Sequence, residues 1–255
     1  MSRSTKKILY GIFWNGLVLL AIVAIYFVWF KPAPSCTDSV RNQNETGVDC
    51  GGSCVSCAAK QLSPLEVFEE PRAFSLTSGR TVLMGQVANP NATFGADQFS
   101  YEFVIYDRVG AVAERITGTG RLYPFETRYM SAFSVETAAA KIGTVSLEVS
   151  APRWRPAGEM PRPDLQVLSG LSTTLAAGAV RVSGIVRNQG DMYVAKVRVI
   201  AILVDHSGND LFPAQTVVSG LQGFRELPFA VQFPPDEGIA AAVDLSATRV
   251  IIQPE

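Results

Sequence analysis

Four cysteines, Cys36, Cys50, Cys54 and Cys57, are the only ones in the chain and stand close together. Thiols at such spacing close disulfides or, as thiolates, hold a metal such as zinc. Between them lie Asp38, Asn42, Glu45 and Asp49. Their oxygens are the hard donors that calcium gathers, roughly six to eight at a time, so these four residues are the candidate metal ligands. The same residue types also end turns and solvate small loops, which is their commoner use. A third constellation, Asp205-His206-Ser207, sets the residue types of a hydrolytic triad side by side. Adjacent residues point in different directions, whereas a working triad draws its members together from separate segments. With Gly208 following, and no second histidine, these residues read as a hairpin turn. No G-x-S-x-G, phosphate-binding glycine loop or H-E-x-x-H is present. The expectation is a protein that is not an enzyme and uses no cofactor beyond a candidate calcium ion.

The element that positions the cysteines is the apolar run just before them, Ile8 to Phe30. At about 1.5 Å per residue it makes a helix of about 35 Å, enough to cross a hydrocarbon core of roughly 30 Å. Tyr10 and Trp14 near one end, with Tyr26, Trp29 and Phe30 near the other, suit an interfacial aromatic belt. Arg3, Lys6 and Lys7 precede the run, while only Lys31 and then Arg41 follow it closely. That excess keeps the N-terminus in the cytoplasm and sends the remaining chain outward. A cleaved signal peptide is the main rival, since Ala33-Pro34-Ser35 precedes Cys36 as a small-residue cleavage site would. The run is longer than the usual signal core of about 7–15 residues, which favours an uncleaved anchor. Lipidation at Cys36 is a weaker rival, because Lys31 and two prolines intervene. Asn15 serves either as a hydrated interfacial residue or as a polar contact between helices. Outside the cytoplasm the cysteines are expected to form two disulfides, in one of three pairings. Cys54 and Cys57 resemble half a zinc site, but Cys36 and Cys50 supply no second close pair. Closing a loop of about fifteen residues would stabilise it by about 3 kcal/mol. Gly51-Gly52 between the cysteines suits a sharp turn, since glycine accepts positive φ without steric cost.

Net charge is −1, so no electrostatic footprint for nucleic acid is visible. After residue 60 helical periodicity gives way to short alternating runs bounded by Gly, Pro, Asn and Asp, which predicts strands and turns. The chain also echoes itself. Leu65-Glu66-Val67 returns as Leu165-Gln166-Val167, and Gly85-Gln86-Val87-Ala88-Asn89 as Gly184-Ile185-Val186-Arg187-Asn188. Val104-Ile105-Tyr106-Asp107 with Gly110 returns as Ile202-Leu203-Val204-Asp205 with Gly208, and Leu122 with Phe125 as Leu221 with Phe224. Each copy suits a small antiparallel β-sandwich. The predicted fold class is mainly β: two tandem sandwiches behind one transmembrane helix and a disulfide-rich loop. The expected segments are a cytoplasmic tail at 1–7, a transmembrane helix at 8–30 and a cysteine-rich stretch at 31–63. A first sandwich at 64–151, a proline-rich linker at 152–164 and a second sandwich at 165–255 follow. Four prolines in that linker predict a stiff connector and a rod of two sandwiches. Within it, Arg153, Trp154 and Arg155 are candidates to dock a partner or rest against a domain edge, and packing of Trp154 on its neighbouring domain is the expected outcome.

Two stretches carry resemblances. Cys36, Asp38, Asn42, Glu45, Asp49, Cys50, Gly51, Gly52, Cys54 and Cys57 match a C-x-D-x-x-x-N-x-x-E-x-x-x-D-C-G-G-x-C-x-x-C pattern. It resembles a short cysteine-rich motif recurring in surface proteins of bacteria and protists, and departs from it at Ser39, where glycine is common. Phe103-Val104-Ile105-Tyr106-Asp107 resembles the F-x-L-Y-D motif of a bacterial extracytoplasmic β-sandwich family named for it. Gly85, Val87 and Asn89 resemble that family's G-x-V-x-N strand end; in the second copy Ala201 and Val204 replace both aromatics. The resemblance implies immunoglobulin-like or late-embryogenesis-like sandwiches, and no general enzymatic activity. A strand puts Phe103 and Ile105 on one face and Val104 and Tyr106 on the other, so one face is expected to fill the core. An aromatic ligand patch at Tyr101, Phe103 and Tyr106 is the rival reading. The expected function is a single-pass cell-envelope protein presenting two β-sandwich binding modules, with the lipid bilayer and extracytoplasmic proteins as partners. The alternative is an accessory subunit of a membrane-bound complex held through its helix.

Overall fold

The computed structural model describes residues 3–26, 35–42, 44–150, 152–168, 171–176 and 178–255. The chain divides into two compact units, Met1–Leu62 and Ser63–Glu255.

In the first unit helix α1 runs Arg3–Ile25 and buries none of its side chains. It is long and apolar enough to cross a membrane, as an anchor or as a signal segment. The helix takes in Arg3, Lys6 and Lys7, which the sequence placed in a tail, because nothing in that stretch breaks a helix. Residues 27–30 of the expected span, with Trp29 and Phe30, and residues 31–34 lie outside the described residues. The cysteine stretch closes through two disulfides, Cys36–Cys54 and Cys50–Cys57. Every cysteine is therefore bridged, and no thiolate is left to hold zinc. The bridges span 18 and 7 residues, which the chain-entropy model values at about 3 and about 2 kcal/mol. Gly51 and Gly52 take the expected positive φ, 79° and 59°. Ser39 also has a positive φ, 60°.

The second unit is built from strands β1 (Glu66–Ser75), β2 (Thr81–Ala88), β3 (Phe94–Asp107), β4 (Val112–Leu122), β5 (Thr127–Ala132), β6 (Ile142–Val149) and β7 (Arg153–Pro156). There follow β8 (Leu165–Val167), β9 (Ser172–Ala176), β10 (Ala179–Asn188), β11 (Val194–Val204), β12 (Asp210–Leu221) and β13 (Glu226–Gln232), the short helix α2 (Glu237–Ala242), and β14 (Arg249–Pro254). All named pairings are antiparallel. One sheet has the order β1-β2-β5 and faces β4-β3-β6, with β7 beside β3. In the second half β8 and β9 lie in succession along one edge of β10, whose other edge pairs β13, and the facing sheet is β12-β11-β14. The strand order is thus the same in both halves, with β2 answered by β10 and β3 by β11.

Each half has an apolar core between its two sheets. Leu83, Val87, Phe99, Phe103, Ile105 and Leu147 fill the first. Tyr106 is half-buried and lies on the opposite face from Phe103 and Ile105. The second core also takes in Phe74, Val82 and Met84 from β1 and β2. Register explains this. Arg72 opposes Met84 and Phe74 opposes Val82, so these residues share the outer face of the β1-β2-β5 sheet. That face lies against the β12-β11-β14 sheet: Arg72 pairs with Asp210 at 2.8 Å, and Tyr129, opposite Gln86 on β5, packs into the second core. Central strands β2 and β11 are consequently covered on both faces, and the run Val199 to Val204 is buried throughout. Buried strands of this kind lose the alternation of a half-exposed one.

Two expectations are corrected. Residues 152–164 are not a free linker: Arg153–Pro156 pairs with β3 from Phe94 to Gln98, and Met160 is buried. A short strand beside β3 with proline at its end is a place where proline's missing donor costs little. The first sandwich therefore extends past residue 151. Nor do the sandwiches form a rod, because the apolar outer face of β1-β2-β5 is covered by the second half. Trp154 packs on the first core, as expected.

Candidate functional site

The motif residues hold loops. Asn89, 2% exposed, donates to the carbonyls of Phe94 at 2.9 Å and Tyr123 at 3.0 Å, and its oxygen accepts from the Asn91 amide. Asn188, fully buried, donates to Met192 and Gln222 carbonyls and accepts from the Gly190 amide. One side chain in each half thus ties the loop after β2 or β10 to the turn after β4 or β12. Asp107 caps its turn by accepting from the Val109 and Ala111 amides, and Asp205 does the same for Ser207 and Asn209. Asp205 is spent on this turn. The hydrogen bond from the Asn209 side chain, then those from backbone amides, hold its carboxyl below the ordinary range. His206 is exposed and its Nδ1 lies 3.8 Å from Asp244, so no relay from Asp205 to Ser207 exists. Tyr101 and Phe103 stack edge-on at 5.8 Å, packed with the first core, which separates them from Tyr106 and leaves no shared aromatic patch.

Three of the four candidate calcium ligands, Asp38, Glu45 and Asp49, accept from the loop's backbone amides, and Asn42 donates to Asp38. Asp38 accepts from the Ser35 and Val40 amides and from the Asn42 side chain. Glu45 Oε2 accepts from the Asn42 and Asp49 amides, and Asp49 accepts from the Ser39 amide. The three carboxylates do not converge. Among the described residues the one close group of three ligand-type atoms is Cys36, Glu45 and Cys54. Both sulfurs there belong to one disulfide, leaving a single carboxylate.

Arg153 and Arg155, docking candidates in the sequence, line a basic groove of about 500 Å³ beside Asp97 and Tyr101, whose other members sequence reasoning missed. Arg121 meets Asp97 at 2.6 Å and Arg155 meets it at 3.1 Å, with Arg153 on the same carboxylate. Burial of Asp97 disfavours its charge, but the hydrogen bonds from Arg121 and Arg153 outweigh this and hold its carboxyl below the ordinary range. Arg128 and Arg198 complete the lining, so five arginines face two carboxylates, Asp97 and Glu255. Guanidinium donors in such excess can hold a carboxylate or phosphate group by paired hydrogen bonds. The visible signal was Arg153 and Arg155 two apart on one strand, which puts both side chains on one face.

No protein-family model and no curated protein matches this chain. Among solved structures it is similar to red sea bream transglutaminase at 12% identity, with a TM-score of 0.27, over 70% of this chain and 28% of that one. It is also similar to a β-glucuronidase of glycoside hydrolase family 2 at 9% identity, with a TM-score of 0.21, over 81% of this chain and 25% of that one. The chain thus spans about a quarter of the length of these proteins.

Proposed function

We propose that this chain is a single-pass membrane-anchored protein whose β unit lies outside the cytoplasm as an interaction module of the cell envelope. The observation that carries this reading is a 23-residue helix with no buried side chain, followed by four cysteines that are all in disulfides. An apolar helix with no buried side chain among its described residues suits an apolar solvent, and disulfides persist in an oxidising compartment. The charge excess of Arg3, Lys6 and Lys7 sets the orientation. The shared strand order, the two capping asparagines and the two aspartate turns support a tandem pair of FxLYD-like, immunoglobulin-like sandwiches. The partner surface is the arginine groove, and the groups it suits are carboxylates or phosphates. Asn15 donates back to the Gly11 carbonyl at 2.8 Å, so its amide is used within α1 and does not favour the accessory-subunit alternative. Crosslinking and mass spectrometry on native membranes test the choice. Stable contacts from residues 63–255 are expected; contacts confined to α1 would instead make the chain a subunit held by its helix.

A further inference from the structure

Two exposed phenylalanines occupy matching turns under the same backbone constraint. Phe125, between β4 and β5, has φ 52°, and Phe224, between β12 and β13, has φ 56°. Each is 72% exposed. Such positive φ is the glycine position of a tight turn, and a bulky residue there is an outlier. The turns are nevertheless locked. Glu126 and Arg225 donate back across them to Tyr123 and Gln222, and the amides of Phe125 and Phe224 donate to Asn91 and Gly190. The loops that receive them are fixed by Asn89 and Asn188. Both rings are therefore held away from either core by rigid backbone. Strain kept at a site points to a use for the residue that bears it.

Both tips lie at one end of the β unit. Arg128, at the start of β5 just after Phe125, donates to Pro254, which opposes Val197 near the start of β11. The loop entering β11 is the one bonded to Phe224. The far end holds the hairpin contact of Thr77 with Asp236 and the turn at Val109, which ends β3. Chain continuity identifies the tips' end. Ser63, the first residue of the β unit, donates to the Asn91 side chain and accepts from it, so the chain enters the β unit at this end. Tyr193, 64% exposed, is in the loop just before β11 at this end. Arg225 is exposed next to Phe224, and Arg162, itself exposed, lies 5.7 Å from the Tyr123 ring centre and 3.5 Å from the buried Glu126 carboxylate beside Phe125.

We propose that this end of the β unit rests on the phospholipid surface, with Phe125 and Phe224 inserted at headgroup level and Arg162 and Arg225 among the headgroups. Aromatic rings flanked by basic residues are the composition that binds such an interface. The inference rests on the membrane-anchor reading, because α1 is what brings the chain to the bilayer. Its test uses the full chain in vesicles of phosphatidylcholine with phosphatidylglycerol. Trifluoromethyl-phenylalanine is placed singly at position 125, 224, 109 or 19, and fluorine relaxation by an aqueous nickel chelate is read. Labels at 125 and 224 should relax at least about fivefold more slowly than the label at 109, which marks the far end. Equal relaxation at 125, 224 and 109 with 19 shielded overturns the docking while the anchor stands, and leaves the tips to a protein partner. Position 19 exposed to nickel refutes the anchor; if 125 and 224 are then exposed too, both ideas fall, and if they stay shielded the docking holds by itself. A Phe125→Gly/Phe224→Gly variant separates lipid contact from folding. Glycine relieves the backbone, so its melting temperature should not fall, while lipid protection of the amides at 123, 125 and 126 should drop severalfold. Unchanged protection would overturn the proposal.

Discussion

Replacing Leu203 by alanine tests whether residues 63–255 unfold as one body. Leu203 is fully buried on β11, opposite Phe212, in the core of the second half. Removing its side chain from a packed site costs about 3 kcal/mol, from lost transfer energy and the residual cavity. With a urea m-value of about 2 kcal/mol/M, the unfolding midpoint should fall by about 1.5 M. Where this is read matters more than its size. Trp154 packs on the core of the first half, and the other tryptophans, Trp14 and Trp29, belong to the N-terminal apolar run. Fluorotryptophan incorporated into the full chain in detergent therefore gives a signal specific to the first sandwich. If the outer face of β1-β2-β5 couples the halves, the Trp154 transition moves by the full 1.5 M or so although the mutation is in the other half. A Trp154 midpoint that stays put while the second half unfolds early would refute the coupling, and two independent sandwiches would be the correct description.

Asn188→Ala removes two donors and one acceptor from buried backbone partners, and at about 1 kcal/mol each should destabilise the unit by about 3 kcal/mol in urea titration; a loss below about 0.5 would mean that water replaces the side chain. Acid should weaken the fold. Asp97 and Asp236 both have carboxyls held below the ordinary range, Asp97 against the opposing effect of burial by its arginines and Asp236 first by the Thr77 hydroxyl. A depressed folded value gives stability that is complete above the unfolded value of about 3.9 and is lost as pH falls through the folded one. The melting temperature should thus hold from about pH 7 to about pH 5 and fall below about pH 4, with a smaller fall in Asp97→Asn. Reduction should speed amide exchange at residues 44–57 and leave the β unit's protection unchanged, since both disulfides lie in the first unit.

Much of this architecture was legible because backbone constraints leave marks on residue type. The positive φ of Gly51 and Gly52, the turns begun by Asp107 and Asp205, and the strand ends at Asn89 and Asn188 all appear where the residue types placed them. Matching strand order followed from echoes at matching spacing. The stacking of the halves was not read, although its sign was present. Val82-Leu83-Met84 and Val199 to Val204 are continuous apolar runs, the pattern of strands covered on both sides, whereas two separate sandwiches need only alternation. Arg153-Trp154-Arg155-Pro156 was misplaced because an extended proline-rich connector and a short strand share one backbone conformation; only its partner on β3 distinguishes them. The arginine groove gathers β3, β4, β5, β7, β11 and β14, and beyond Arg153 and Arg155 no local spacing announces a site assembled from six strands.

The claim on which the functional account depends is the side of the membrane that each unit faces. Right-side-out and inside-out vesicles treated with an impermeant amine reagent, followed by peptide mass spectrometry, measure it at named lysines. Lys141 and Lys196, exposed on the β unit, should label only in right-side-out vesicles, and Lys6 and Lys7 only in inside-out ones. Labelling of all four from the same side, or a mature chain without the peptides of α1, would contradict the account.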